Sequence, residues 1–322
     1  MMQKKISVVI PTYNRPKLLL KCLSALERQT LNADDFEILV IHDGPYSATD
    51  DELLELKNLR LNLSLLHTST KKGPAAARNL GWLQAKHELI AFTDDDCLPD
   101  ENWLKKILED YHFEKMVAYT GRTVVPLPKQ PSDFEMNTAG LETAAFITAN
   151  CACTKQALIE VGGFDERFGL AWREDSDLEF KLIQNKIPIW RNNAAVVVHP
   201  VRSAKWGVSL KEQKKGLYDV LLFKKYPELY RQKIHQSILN YYLIILLFLL
   251  SIVALSTGHK NLAKLAIILM LLPLGGFFLR RIKHTQKSVT HLSEMLVTSL
   301  LIPFLSVYWR GYGMLKFRKL LF

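Results

Sequence analysis

Over its first two hundred residues the chain alternates short apolar runs with stretches of helical periodicity. Residues 6–10 (Ile-Ser-Val-Val-Ile), 36–41, 61–67 and 88–92 are compact, apolar and partly β-branched, and they read as strands. Between them, residues 16–29 place apolar side chains at 18, 19, 20, 23 and 26, with Pro16 at the start, which predicts a helix. Residues 50–57 read as a short helix, 74–86 as an alanine-rich helix and 101–111 as another. Strands alternating with helices imply βαβ units, and so an α/β fold with a mostly parallel sheet and helices on both faces. After Val125 the pattern changes. Pro126, Pro128 and Pro131 mark a loop, residues 146–154 are strand-like, and a helix runs to Val161 before the turn Gly162-Gly163. A helix over about 174–184 and a short strand over 194–198, ending at His199-Pro200, complete this part.

The remaining third reads differently. Residues 238–255 hold no charge and are long enough, with small extension at the ends, to span a bilayer. A second apolar stretch, 265–279, is separated from the first by a few residues near Gly258, so the two predict a hairpin of spanning helices over about 237–257 and 262–279. The basic run 280–287 follows, and the positive-inside rule places it, with the main domain, on the cytoplasmic side. A third apolar stretch, 295–309, can span or lie at the interface. Tyr308, Trp309 and Tyr312 beside Arg310 form an amphipathic boundary mix that favours the interface. Residues 204–232 interleave apolar side chains with lysines and read as a basic interfacial segment. The expected organisation is therefore a domain over 1–203, an interfacial segment over 204–232 and a membrane tail with two or three hydrophobic helices over 233–322.

Charge supports this division. Residues 233–322 carry eleven Lys and Arg against one acid, Glu294, which accounts for the whole net charge of +10. The first 232 residues are balanced, so the main domain lacks the basic excess of a nucleic-acid binder, and no nucleic-acid partner is expected. The basic tail suits an anionic membrane surface. The four cysteines, Cys22, Cys97, Cys151 and Cys153, form no CxxC pair, and no histidine cluster has zinc spacing. That usage fits a reducing compartment, with Cys151 and Cys153 as small residues of a buried strand.

Candidate chemistry lies where the strands end. Thr93-Asp94-Asp95-Asp96 follows the run 88–92 directly. Three adjacent carboxylates repel one another and need a cation or a solvated edge, and hard divalent cations take such oxygens together with substrate phosphates. Pro11-Thr12-Tyr13-Asn14 and His42-Asp43-Gly44 end the first two strands, at a place suited to a base and ribose. Asp43 can accept from a base or ribose, or can simply make an Asx turn before glycine. Gly73-Pro-Ala-Ala-Ala-Arg78-Asn79 opens a helix whose free N–H groups can face an anion. Arg78 can pair with a phosphate or serve as a plain surface arginine. Trp172-Arg173-Glu174-Asp175-Ser176-Asp177 supplies carboxylates for a general base, or merely the acids that a helix N-terminus favours. The lack of a GxGxxG after the first strand argues against a dehydrogenase.

Taken in order, Pro11–Asn14, Asp43-Gly44, the alanine-rich motif 73–79, Asp94–Asp96, Gly162-Gly-Phe-Asp-Glu-Arg167 and Glu174-Asp-Ser-Asp-Leu178 closely resemble the family 2 glycosyltransferases of GT-A fold, over about residues 5–200. The resemblance implies a divalent metal, Mg²⁺ or Mn²⁺, held on the diphosphate of a nucleotide-sugar donor by Asp94 and Asp96, with Asp95 beside them. It implies nucleoside contacts from Pro11, Thr12, Tyr13 and Asp43, and a nucleotide contact from Arg78. It also implies Asp175 as catalytic base, with Glu174 as rival. The family usually has two acids before the early glycine, and His42-Asp43 departs from that. His199 ends a strand on the same edge and can reach the metal or diphosphate, or be a structural histidine. The expected activity is inverting sugar transfer to an acceptor hydroxyl at the cytoplasmic membrane face, with a lipid or lipid-linked glycan as acceptor. A nucleotide-sugar-forming nucleotidyltransferase and a catalytically dead membrane scaffold are the alternatives.

Overall fold

The computed structural model describes residues 4–45, 61–234 and 237–321. The helix expected over 50–57 lies outside the described residues. The chain forms two compact units, one of residues 1–126 and 139–201, the other of residues 127–138 and 202–322.

Among the described residues, the first unit is built on one sheet of eight strands: β1 Ile6–Thr12, β2 Phe36–His42, β3 Leu63–His67, β4 Leu89–Phe92, β5 Leu98–Pro99, β6 Ala118–Val124, β7 Cys151–Thr154 and β8 Ile189–Val198. Their order is β3-β2-β1-β4-β7-β6-β8-β5. The half made of β3, β2, β1 and β4 is parallel throughout. Beyond β4 the sheet is mixed, because β7 runs antiparallel to both β4 and β6 while β6 and β8 pair in parallel. The central strands are buried along their whole length, which is why they read as continuous β-branched runs without alternation.

Helices cover both faces. On one side α1 (Pro16–Glu27) and α3 (Trp103–Asp110) pack Leu19, Leu23, Trp103 and Ile107 against Ile6, Val8 and Ile10. On the other, α2 (Pro74–Gln84), α5 (Lys155–Val161) and α6 (Glu174–Gln184) pack Ala75, Ala77, Leu158 and Leu178 against Val9, Leu39 and Ile41. The alanines of α2 let its backbone lie close to the sheet. All four cysteines are free and buried, Cys151 and Cys153 within β7.

Three local differences from the sequence reading have simple causes. The strand expected over 146–154 shortens to β7, since Phe146–Asn150 approaches it as turns. The last strand begins at Ile189 rather than at 194, its polar start Arg191-Asn192-Asn193 masking it. Strand β6 went unread because Thr120-Gly121-Arg122-Thr123 breaks its apolar run.

The second unit contains α4 (Asp133–Ala139), α7 (Val208–Glu212), α8 (Gly216–Lys225), α9 (Pro227–Lys233), α10 (Leu239–Ser256), α11 (Lys260–Ile282) and α12 (Val289–Phe317). Among the described residues, α10, α11 and α12 are long and apolar enough to cross a membrane, by length and composition. Most of their large apolar side chains are exposed, Leu246, Ile268 and Leu272 among them, so these helices do not form a water-soluble core. The segment 204–232 differs from a single lipid-facing stretch. Leu217, Val220, Leu221, Leu222 and Phe223 are buried within this unit, where α8 packs along α12, and only Trp206 of its large apolar residues stands exposed.

Candidate active site

The acidic triplet follows β4 at the carboxyl edge of the parallel half-sheet, beside the ends of β1 and β2. That edge is where open α/β sheets place ligands. The three carboxylates have different surroundings. Asp95 turns into the protein, accepting from Thr12 Oγ1 at 2.8 Å and pairing with Arg15 at 3.1 Å. Burial pushes its carboxyl up to about 6, with the pull of Arg15 and the Thr12 hydrogen bond opposing this. Arg15 lies one residue beyond the first motif, and nothing in the sequence but its adjacency to Asn14 marks it.

Asp94 and Asp96 face the other way. Ligand atoms of Asp94, Asp96, Cys97 and His199 all lie within 4.8 Å of one another. His199 Nε2 is 3.7 Å from Asp96 Oδ1, and its buried Nδ1 has no hydrogen-bond partner. β8 delivers His199 to this point, its N–H bonded to Val124 at the end of β6. Two carboxylates and an imidazole with an unmet nitrogen fit a divalent ion of the Mg²⁺ and Mn²⁺ type. Cys97 follows the triplet directly in sequence and was not singled out. Burial, reinforced by the charges of Asp94 and Asp96, pushes its thiol up, and a soft thiol suits Mg²⁺ and Mn²⁺ less well than the two carboxylates do.

Asp43 anchors a loop. Its two oxygens accept the N–H groups of Lys72 and Gly73, each at 2.8 Å, and Thr68 Oγ1 approaches at 3.3 Å. This fixes the turn that leads into α2. Gly73 has φ +104°, and a Cβ there would lie 2.6 Å from the Gly169 carbonyl oxygen, so only glycine fits. His42, the departure from the family pattern, is buried, stacks under Tyr13 at 5.7 Å between ring centres and meets His67 at 5.9 Å. Tyr13 is left as an exposed ring with Lys71 Nζ 3.4 Å above it. Pro11 lies buried in β1, paired with Ile41, and contributes position rather than a polar group.

Arg78 is buried and held by two carboxylates, Asp94 at 2.6 Å and Glu174 at 3.2 Å. Burial alone would lower its pKa, but the two carboxylates outweigh that and raise it, so the guanidinium stays charged. It therefore ties the triplet to the late acidic motif, about eighty residues on. Glu174 and Asp175 begin α6 after Arg173, which adopts φ +73° and stacks its guanidinium over Trp172 at 4.6 Å. Glu174 is buried. Asp175 is half-buried and accepts from the N–H and hydroxyl of Ser176. Burial raises both carboxyls above the usual range, and the charge of Asp175 adds to the rise at Glu174. Asn79 joins the remaining motif to α2. It accepts from Phe164 N–H and donates to Phe164 C=O, both at 2.9 Å, and a Cβ at Gly163 would lie 2.7 Å from its Oδ1.

Residues 7–162 match the model of glycosyl transferase family 2. This domain belongs to that family. Over 101 residues the chain is 35% identical to the glycosyltransferase AglE of Haloferax volcanii, covering 31% of this chain and 33% of that one. Over 217 residues it is 28% identical to a pre-mycofactocin glycosyltransferase of Mycobacterium tuberculosis, covering 62% and 43%. The chain thus spans a third to under a half of the length of these relatives. The mannosyltransferase PcManGT of Pyrobaculum calidifontis, solved with GDP-Man and Mn²⁺, superposes with a TM-score of 0.56 at 16% identity, over 96% of this chain and 88% of that one, which shows a shared GT-A-like fold.

Proposed function

We propose that this chain is a metal-dependent, inverting glycosyltransferase that takes a sugar from a nucleotide-diphosphate donor to an acceptor hydroxyl at the cytoplasmic face of a membrane. The observation that carries the reading is the line of charge Asp96–His199, Asp94–Arg78–Glu174 and Asp175 along one sheet edge. It sets a cation site and a candidate base within one electrostatic network.

Asp94, Asp96 and His199 would hold the divalent ion, which would supply positive charge to offset the charge that grows on a departing diphosphate. The residues of the chain do the rest. Tyr13, its ring between His42 and Lys71, offers its exposed edge to the nucleoside, while Asp43 and Gly73 keep the approach to α2 tight. Arg78 keeps the buried Glu174 paired. Asp175, less buried than Glu174 and with one oxygen not committed to Ser176, takes the proton of the acceptor hydroxyl. One base acting opposite one leaving group gives direct displacement and inversion. A retaining route through a covalent intermediate would need a second carboxylate as nucleophile.

Relatives named as hexosyltransferases, such as the poly(ribitol-phosphate) β-glucosyltransferase of Bacillus spizizenii at 36% identity over 128 residues, support a hexose donor. The membrane reading rests on α10 and α11, whose lengths of 18 and 23 residues suit a spanning hairpin, and on the basic run 280–287 that follows them. A lipid or lipid-linked glycan is the acceptor that such an anchor brings within reach. The test is to screen the purified full chain against a panel of nucleotide sugars, with and without EDTA, and to score nucleotide release. Metal-dependent release with one donor class supports the reading. Release unaffected by EDTA would overturn its metal-dependent half.

A further inference from the structure

Helix α12 has 29 residues and a length of roughly 43 Å. Its two faces are inverted relative to a helix in a water-soluble domain. Thr298, Ser299, Ser306 and Gly313 face inward beside Met295, Ile302 and Pro303, while Leu296, Leu300, Leu301, Tyr308, Tyr312 and Leu315 are exposed at helical spacing. Such a face belongs against lipid. Composition alone lets the helix cross the bilayer, as its two predecessors do in the membrane reading above, on which this inference rests.

Its partners argue otherwise. Near the start of α12, Glu294 accepts the Gly207 N–H at 2.7 Å. Further along, Arg310 pairs with Asp219 at 3.7 Å, and Gly313 packs against the Leu217 backbone, where a Cβ would come within 2.9 Å of the carbonyl oxygen. At its end, the Phe317 carbonyl accepts from Lys224 Nζ at 2.8 Å. Residues 207–225 therefore run alongside α12 over nearly its full length, in the same direction. That strip carries Lys211, Lys214, Lys215, Lys224 and Lys225 as well as Glu212 and Asp219. Charged groups at this density are not accommodated in hydrocarbon. Wherever the strip lies, both ends of α12 lie with it.

We propose that α12 does not cross the bilayer but lies along its surface, with residues 207–225 strapped to its aqueous side and its exposed apolar face in the acyl layer. Arg281 fixes the level. Standing in the last turn of α11, it donates to Thr298 at 2.6 Å and Ser299 at 3.1 Å and pairs with Asp133 at 2.7 Å. The first half of α12 thus sits at the height of the basic run 280–287. Phe304 meets Phe248 of α10 edge-on at 5.2 Å, so α12 also packs against the hairpin. The lysines of the strip complement the headgroups of an anionic leaflet. The surface this unit presents is then a broad apolar plane continuous with the α10–α11 hairpin, and its partner is an anionic lipid bilayer.

The test uses the full chain in sealed vesicles of one orientation. Lys260→Cys, Lys283→Cys and Leu320→Cys are made singly and probed with a membrane-impermeant maleimide, the four native cysteines being buried. Reaction of each in detergent shows that the site is reachable. Leu320→Cys and Lys283→Cys should label from one side and Lys260→Cys only from the other. Labelling of Leu320→Cys together with Lys260→Cys, and apart from Lys283→Cys, means that α12 crosses, and overturns the proposal. Labelling of all three from one side removes the spanning hairpin instead and leaves α12 in plane. A fluorophore on Leu300→Cys should be quenched by lipids carrying a shallow nitroxide. Loss of that quenching would show that the exposed face is not in lipid and would also overturn the proposal.

Discussion

Arg78 donates to Asp94 across 2.6 Å while almost wholly shielded from solvent, and the same guanidinium reaches Glu174. A buried cation shared by two acids gains little over an apolar substitute, but removing it strands both carboxylates. Arg78→Met should therefore destabilise the protein by about 3–5 kcal/mol, the usual loss on breaking a buried pair. Arg78→Lys should not recover it, because an ammonium lacks the fork that meets two partners at once. Thermal unfolding of the purified variants checks this, and a lysine variant as stable as the parent would refute the two-partner role.

The acidic pair that begins α6 divides its work by exposure. Asp175→Asn should keep donor binding and lose turnover by about 10²–10⁴-fold, the usual contribution of a general base. Glu174→Gln should chiefly lower stability, since it removes one partner of Arg78. Because burial holds both carboxyls above the usual range, transfer should rise as pH rises beyond that of an ordinary carboxylate, as the base loses its proton. A flat pH profile from 5 to 8, or normal turnover in Asp175→Asn, would move the base elsewhere.

Much of this arrangement is legible in the sequence, and what escapes it has physical reasons. The parallel half-sheet announces itself because β1, β2 and β4 are buried along their whole length and mostly apolar, the buried Ser7 and Glu37 being bonded to each other. The mixed half does not, since β6 carries Thr120-Gly121-Arg122-Thr123 and β5 is two residues long. Among site residues, the acids were visible as chemistry, but their division of labour was not. That Asp95 turns inward to Thr12 while Asp94 meets Arg78 depends on the turn after β4, which no spacing rule specifies. Likewise Arg78 reads as a phosphate ligand until the fold brings Glu174 against it from ninety-six residues away. His42 reads as a lost acid until its stacking under Tyr13 is seen.

Gly73 allows a test of how the approach to α2 is held. Its φ of +104° and the nearby Gly169 carbonyl exclude any side chain. Gly73→Ala should cost more than about 1 kcal/mol, since the native conformation is incompatible with a Cβ. It should also weaken donor binding, because the Gly73 N–H is one of two that hold Asp43. Unfolding and donor titration check the two parts separately. Unchanged affinity would mean that the Asp43 clasp serves only the fold.

His199 provides a measure of the cation site that does not depend on its acids. If its imidazole completes the set with Asp94 and Asp96, His199→Ala should raise the Mn²⁺ concentration needed for half-maximal binding, with the direct readout being Mn²⁺ titration by magnetic resonance. Asp96→Asn should weaken binding at least as much. Equal affinity in His199→Ala and the parent would leave the histidine as a structural neighbour of Asp96.

Asp95 should leave a signature in stability rather than in rate. Its carboxyl ordinarily titrates near 3.8 and in the folded chain near 6. Between those values the folded state holds a proton that the unfolded state has released. Stability from this group is therefore fully present at the acid end, falls as pH rises from about 4 to about 6, and is constant above that. Asp95→Asn keeps an oxygen for Thr12 but cannot titrate. Chemical unfolding of both proteins at several pH values between 4 and 7 isolates the effect, since Glu174 and Asp175 contribute the same slope to each. The parent should lose stability relative to Asp95→Asn across that window, while parallel curves would mean that Arg15 and Thr12 compensate the burial of Asp95 completely.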